Sequence, residues 1–178
     1  MLNRKLLFFA VVSIVIVYLL SGCTVMGMQA NLKPENLKHY KLKGAYMYGS
    51  VELPSTIGFT SVMIMFNNAP SLNINTHKDI EYFLIDVPFK CKGIVRIGVR
   101  YDDVGTIKEI WYNKPISFSV ESNKINYLGN IVLTNIDNTQ FMMDKIYITN
   151  YQDEDKDDFY SNYTSLTKYE FYKIESKL

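Results

Sequence analysis

The chain has 178 residues, 48% of them hydrophobic and 21% charged, and its 19 Lys and Arg nearly balance 18 Asp and Glu. That balance supplies no bulk field for nucleic acid or for an acidic substrate, so neither is expected as a partner. Two cysteines allow at most one disulfide, and His39 and His77 lie too far apart for the usual zinc-ligand spacing.

The chain opens with a short polar, positive segment, Asn3-Arg4-Lys5, followed by an apolar run from Leu6 to Leu20 broken only by Ser13. Fifteen residues at ~1.5 Å each cover roughly 22 Å, short of the ~30 Å hydrocarbon core of a bilayer. Positive charge in front and small residues behind mark a secretory leader, so residues 1–22 are excluded from the folded unit. The run ends in Leu20-Ser21-Gly22-Cys23. This resembles the bacterial lipobox, in which Leu precedes two small residues and the first mature residue is Cys. The resemblance implies that Leu20, Ser21 and Gly22 are read by the signal peptidase. It implies that the Cys23 thiol takes a diacylglycerol thioether and the freed amine a third acyl chain. Two or more acyl chains hold a protein stably on a membrane, at ~0.8 kcal/mol per buried CH₂. Thr24, where an Asp would signal retention, resembles the outer-membrane sorting habit of Gram-negative lipoproteins. The expected location is therefore the cell envelope, lipid-anchored at the outer membrane, on its periplasmic leaflet or its surface.

Removal of residues 1–22 leaves 156 residues, with 17 basic against 18 acidic. That length suits one domain with a real core. Cys91 is then the one thiol left unmodified. Residues 23–43 carry little periodicity, and with Pro34 and several lysines they read as the lipidated N-terminus and a basic tether. A flexible coil of that length averages roughly 25 Å end to end. The segment suits a solvated linker or a membrane-surface contact, and part of it can pair as a first strand.

From Gly44 to Leu178 the pattern predicts a single β domain. Strands are expected at 44–53, 60–68, 79–89, 93–102, 107–113, 115–121, 125–136, 142–150 and 168–175. In GIVRIGVRY, Val95, Ile97, Val99 and Tyr101 share one face against Arg96 and Arg100. In PISFSVE, Ile116, Phe118 and Val120 oppose Ser117, Ser119 and Glu121. Period two with one polar face is the mark of a half-buried antiparallel strand. SVMIMF and YFLIDV are more continuously apolar, as central strands are. Asp102-Asp103-Val104-Gly105, Asn113-Lys114-Pro115, Ser122-Asn123 and Asp137-Asn138 punctuate the strands at the spacing of a sandwich or barrel.

In INYLGNIVLTN, the pattern places Ile125, Tyr127, Ile131 and Leu133 on one face, with Gly129 marking a bulge or a close approach. Tyr127, Leu128, Gly129 and Ile131 resemble a strand of small envelope lipoproteins with prealbumin-like or carboxypeptidase-regulatory-like sandwiches. The resemblance implies a fold and no activity. The expected architecture is a single antiparallel, prealbumin- or Ig-like β-sandwich with one short C-terminal helix. That helix is expected within 153–166, where an acidic start complements the helix dipole and Phe159, Tyr163 and Leu166 form an i, i+4, i+7 stripe.

No catalytic site is expected, since GxSxG, P-loop and GxGxxG patterns are absent. Asp153, Asp155 and Asp157 fall at EF-hand positions one, three and five, but Asp158 stands where Gly is needed and Thr164 where a bidentate Glu belongs. No metal site or cofactor is therefore expected. Cys91, flanked by Lys90 and Lys92, is expected to be buried and inert, since neighbours in a strand point the other way. The chain is expected to be a membrane-anchored, non-enzymatic binding or structural module that meets an envelope protein. The alternative is a lipoprotein subunit of an envelope secretion or assembly machine of type VI kind. An envelope hydrolase or metal-dependent enzyme ranks behind both.

Overall fold

The computed structural model describes residues 28–40, 42, 44–53, 58–78, 80–137, 142–149 and 152–176. Its elements in chain order are β1 (Met28–Gln29), a 3₁₀ turn (Pro34–His39), β2 (Ala45–Glu52), β3 (Phe59–Phe66), β4 (Ser71–Asn75) and β5 (Ile80–Val87). Then come β6 (Gly93–Asp103), β7 (Thr106–Tyr112), β8 (Ile116–Ser117), β9 (Lys124–Asp137), β10 (Met142–Thr149), α1 (Gln152–Asn162), a second 3₁₀ turn (Thr164–Leu166) and β11 (Glu170–Lys173). Each expected strand has a counterpart. The first strand that residues 23–43 could supply is β1. The expected set omits β4, which is short and carries two Asn, a residue depleted in strands.

The strands pair in the order β1-β4-β3-β6-β7-β10-β9-β2-β5, with β8 on β6 and β11 on β9. Between β7 and β10 the ladder is one parallel pair, Met142 with Trp111. That weak joint divides the strands into two sheets, β1-β4-β3-β6-β7 and β10-β9-β2-β5, packed face to face. Between them lie Val62, Ile64 and Phe66 of β3 and Ile97 and Val99 of β6, against Met47 and Val51 of β2 and Phe83 and Ile85 of β5, all fully buried. The fold is thus mainly β, sandwich-like, with one short helix. Its pairing is mixed rather than wholly antiparallel: β2 and β11 run parallel to β9, and β1 parallel to β4. Between β2 and β9 the chain makes β3 to β8, a crossover long enough to bring β9 back parallel to β2.

A third layer covers the outer face of the second sheet. Leu37, Tyr46, Tyr48, Leu84, Ile125, Tyr127, Phe159, Leu166 and Phe171 form a second buried cluster, joined by Tyr160 and Tyr163. Of the stripe expected on the helix, only Phe159 lies on α1, since the helix ends at Asn162 and Leu166 falls on the 3₁₀ turn; Phe159 and Leu166 are nevertheless buried and Tyr163 half-buried.

Bulges overturn two of the face assignments. In β9 the register against β2 shifts between Tyr48 and Gly49, skipping Leu128. One extra residue moves everything after it to the other face. Ile125 and Tyr127 therefore face the helix, while Leu128, Ile131 and Leu133 face the inter-sheet core. Gly129 takes φ +100°, and a Cβ there would meet the Thr149 carbonyl oxygen at 2.7 Å. In β6 the register against β3 shifts beside Phe66, skipping Val95. Ile94 turns inward and Val95, expected inside, is exposed.

YFLIDV also differs from its expectation as a central strand. β5 ends the ladder, and it is apolar because layers lie on both its faces, with Phe83 and Ile85 in one cluster and Leu84 in the other. Its free edge is covered by the N-terminal segment. Leu32 N–H donates to the Leu84 carbonyl at 2.7 Å, Leu84 N–H donates to Asn31 Oδ1 at 2.8 Å, and Asn31 Nδ2 donates to the Tyr82 carbonyl at 2.9 Å. Upstream, Met28 and Gln29 pair with β4 at the other end of the ladder. Residues 28–32 thus cover one edge of each sheet, a common defence of exposed strands. Residues 28–40, read as tether from the sequence, are docked on the domain.

Candidate functional site

The outer face of the second sheet changes character along its strands. Nearest the start of β2, Tyr46 and Tyr48 lie beside Ile125 and Tyr127, all beneath the helical layer. Further along, Ser50 pairs with Tyr82 on one side and Asn130 on the other, and Glu52 lies across from Ile80. The first turns of α1 overhang this polar part with Glu154, Asp155 and Asp158. Together these residues enclose a cleft of about 370 Å³.

Its floor is tightly bonded. Ser50 Oγ donates to Asn130 Oδ1 at 3.1 Å, and Asn130 Nδ2 donates to Glu52 Oε2 at 2.7 Å. Ser50 and Asn130 are both buried. At the inner wall, the Tyr127 hydroxyl donates to Asp155 Oδ2. Asp155 sits one helical turn before Phe159 and so shares the face that meets the sheet. The Tyr48 ring stacks on Tyr82 with centroids 6.0 Å apart. Burial pushes the Tyr82 hydroxyl up in pKa, and the Asp155 and Asp158 charges add to the effect. The Tyr48 phenol is raised further, again by burial first and then by Asp155.

This cleft can accept hydrogen bonds from a cation or a hydroxyl group and can offer an aromatic face. The hydrogen-bond partner of the Ser50 hydroxyl is an amide, which takes no proton near neutral pH. A second cleft, of about 380 Å³, opens where β9 changes partner from β11 to β10, lined by Leu128, Gly129, Ile148, Thr149 and Ile174. Tyr127, Lys173, Glu175 and Ser176 complete its lining.

The lipobox residues Leu20, Ser21, Gly22 and Cys23 lie outside the described residues. The three aspartates at EF-hand spacing do not converge, because they lie on a helix: Asp153 and Asp157 are exposed and Asp155 is buried. Among the described residues no group of three or more His, Cys, Asp or Glu is arranged to hold a metal ion. His77 is exposed, and its backbone N–H donates to Glu81 Oε1 at 2.7 Å. The Cys91 thiol is buried, and burial raises its pKa. Sequence reasoning missed Ser50, Asn130, Glu52 and the inward role of Asp155. The i, i+4 spacing of Asp155 and Phe159 was the one signal for the last; the others needed the pairing of β2 with β9.

Searches against family models, curated proteins and solved structures return no match to this chain. Among the described residues, no helix is long and apolar enough to cross a membrane.

Proposed function

We propose that this protein is a lipid-anchored lipoprotein of the cell envelope whose β-sandwich acts as a non-enzymatic binding or structural module. The observation that carries the reading is Leu20-Ser21-Gly22-Cys23 directly after the apolar run. Two structural facts support it. Cys91 is buried, which leaves Cys23 as the thiol available for modification. The described chain begins at Met28, five residues beyond Cys23, so cleavage before Cys23 removes none of the described residues. The binding role is supported by the polar cleft, whose serine is bonded to an amide rather than to a base.

The test compares wild type with Cys23→Ala. Wild type is expected to fractionate with membranes, to incorporate labelled fatty acid and to show an intact mass beginning at an acylated Cys23. The Ala variant is expected to carry no label. A wild-type mass that still begins at Met1, or an unmodified thiol in the soluble fraction, overturns the reading.

A further inference from the structure

The short distance between Cys23 and the folded chain sets which end of the sandwich meets the lipid. Five residues at most ~3.6 Å each reach about 18 Å, less than a domain diameter. The chain enters the fold as β1, whose Met28 pairs with Ser71 at the start of β4. Gln29 Nε2 donates to the Pro70 carbonyl at 3.2 Å, tying this entry to the turn 67–70. Asn67 N–H donates in turn to the Gly93 carbonyl at 2.9 Å, next to the turn 88–92. Gly93 and Ile94 pair with β8, which the turn 113–115 feeds. Three turns and the point of chain entry therefore share one end of the molecule.

That end has a distinct chemistry. Phe89 stands 54% exposed at a turn tip and Met28 63% exposed beside the entry, far more than burial would leave if either served the core. Lys90, Lys92 and Lys114 are exposed around them. No Asp or Glu occurs in 66–71, 88–94 or 112–117. Glu52, Glu154 and Asp158 line the cleft beside Ile80, at the opposite end of β5 from the turn 88–92. Seven residue steps of strand separate Ile80 from Val87, about 23 Å. The three turns at the chain's entry are thus basic and apolar, with Asp86 and Glu175 beside them, and the cleft at the far end is acidic. Lysine stems with an aromatic at the same level suit a membrane interface, and cations near an anionic leaflet are drawn to it.

We propose that the end formed by the turns 67–70, 88–92 and 113–115 rests on an anionic lipid surface. Phe89 enters the interface, Lys90, Lys92 and Lys114 meet the headgroups, and the acidic cleft is held facing away from the bilayer. This orientation rests on the lipid-anchored reading above.

The test uses the mature acylated protein in vesicles that contain phosphatidylglycerol and lipids with brominated acyl chains. Trp111 is replaced by Phe, and a single tryptophan is placed either at the membrane-facing end (Phe89→Trp) or at the far end (Ile80→Trp), both exposed positions. Bromine quenching is expected to be on the order of threefold stronger at residue 89 than at residue 80. Replacing Lys90, Lys92 and Lys114 by Glu is expected to abolish that difference without releasing the protein from the vesicles. Equal quenching at the two positions, or stronger quenching at residue 80, overturns the orientation while leaving the anchor in place. A wild-type chain that carries no acyl mass overturns the anchor, and the orientation with it.

Discussion

The two buried clusters of this protein are built from different chemistry. Between the sheets the side chains are mostly aliphatic, from Val62 and Ile64 to Ile97 and Ile131, and they hold one another by shape alone. Between the second sheet and the helical layer they are mostly aromatic. Phe159 is surrounded there by Tyr48 at 4.6 Å, Tyr163 at 4.9 Å and Phe171 at 5.5 Å between ring centroids. The aromatic layer also carries hydroxyls, and these reach polar groups at its rim. Tyr160 donates to the Tyr169 carbonyl at 2.6 Å, Tyr163 to the Leu32 carbonyl at 3.2 Å, Tyr40 to Asp86 Oδ2 at 3.0 Å and Tyr127 to Asp155. The inner cluster is thus a packing device. The outer one also ties the chain entry and the helix to the sheet by directional bonds, and its strength depends on protonation.

The largest expected effect lies in the outer layer. Phe159→Ala removes a fully buried ring from its centre and should cost about 4 kcal/mol in denaturant unfolding. In the inner core, Ile64→Val deletes one methylene and should cost about 1 kcal/mol. Gly129→Ala attacks the bulge that separates the two faces of β9. It puts a Cβ against the Thr149 carbonyl in a backbone conformation that L-residues rarely adopt, and should cost about 3 kcal/mol. A cost for Gly129→Ala smaller than that of Ile64→Val would remove the bulge as the device that turns the strand.

Tyr127→Phe takes the phenol away from Asp155 and leaves a buried carboxylate short of a donor, at about 2 kcal/mol. Alkaline pH acts on the phenols of the outer cluster without mutation. Burial first, and the bond to Asp86 second, pushes Tyr40 up to about 12. Burial likewise raises Tyr46, Tyr82, Tyr160 and Tyr163. A raised phenol pKa means that above ~10 the unfolded chain binds fewer protons than the native one, so stability falls as pH rises. Thermal unfolding should therefore weaken steadily above pH ~10 and be flat in this respect below it. Tyr40→Phe should flatten part of the slope, whereas Ile64→Val should leave it unchanged. The smallest effect is a gain: Val104 sits fully exposed at φ +49° in the two-residue turn between β6 and β7, and Val104→Asn should raise stability by about 1 kcal/mol.

Much of this was legible in local pattern. Alternation of apolar and polar residues marked Ile116, Phe118 and Val120 as the inward side of the β8 segment, where Ile116 and Phe118 are buried. The stripe Phe159, Tyr163 and Leu166 marked the helical layer, and Asp102 to Gly105 marked a hairpin, in which Gly105 N–H donates to Asp102 Oδ1 at 2.8 Å. These signals are local, since a strand or helix declares its buried face through its own repeat. The cleft was not legible, because Ser50 and Asn130 are 80 residues apart and meet only through the parallel pairing of β2 with β9.

The sequence by itself determined a β domain with its strands, its turns and its late helix, because side-chain periodicity is set within each element. The tertiary structure decided which sheet each strand joined, where Leu128 and Val95 shift the faces, and that residues 28–32 cover the edges of both sheets. A bulge depends on what the neighbouring strand offers, and an edge is an edge only once the order of strands exists. The sequence marked Gly129 as a bulge or close approach, but which residues it turns to which face, and which edges residues 28–32 cover, only the assembled sandwich could reveal.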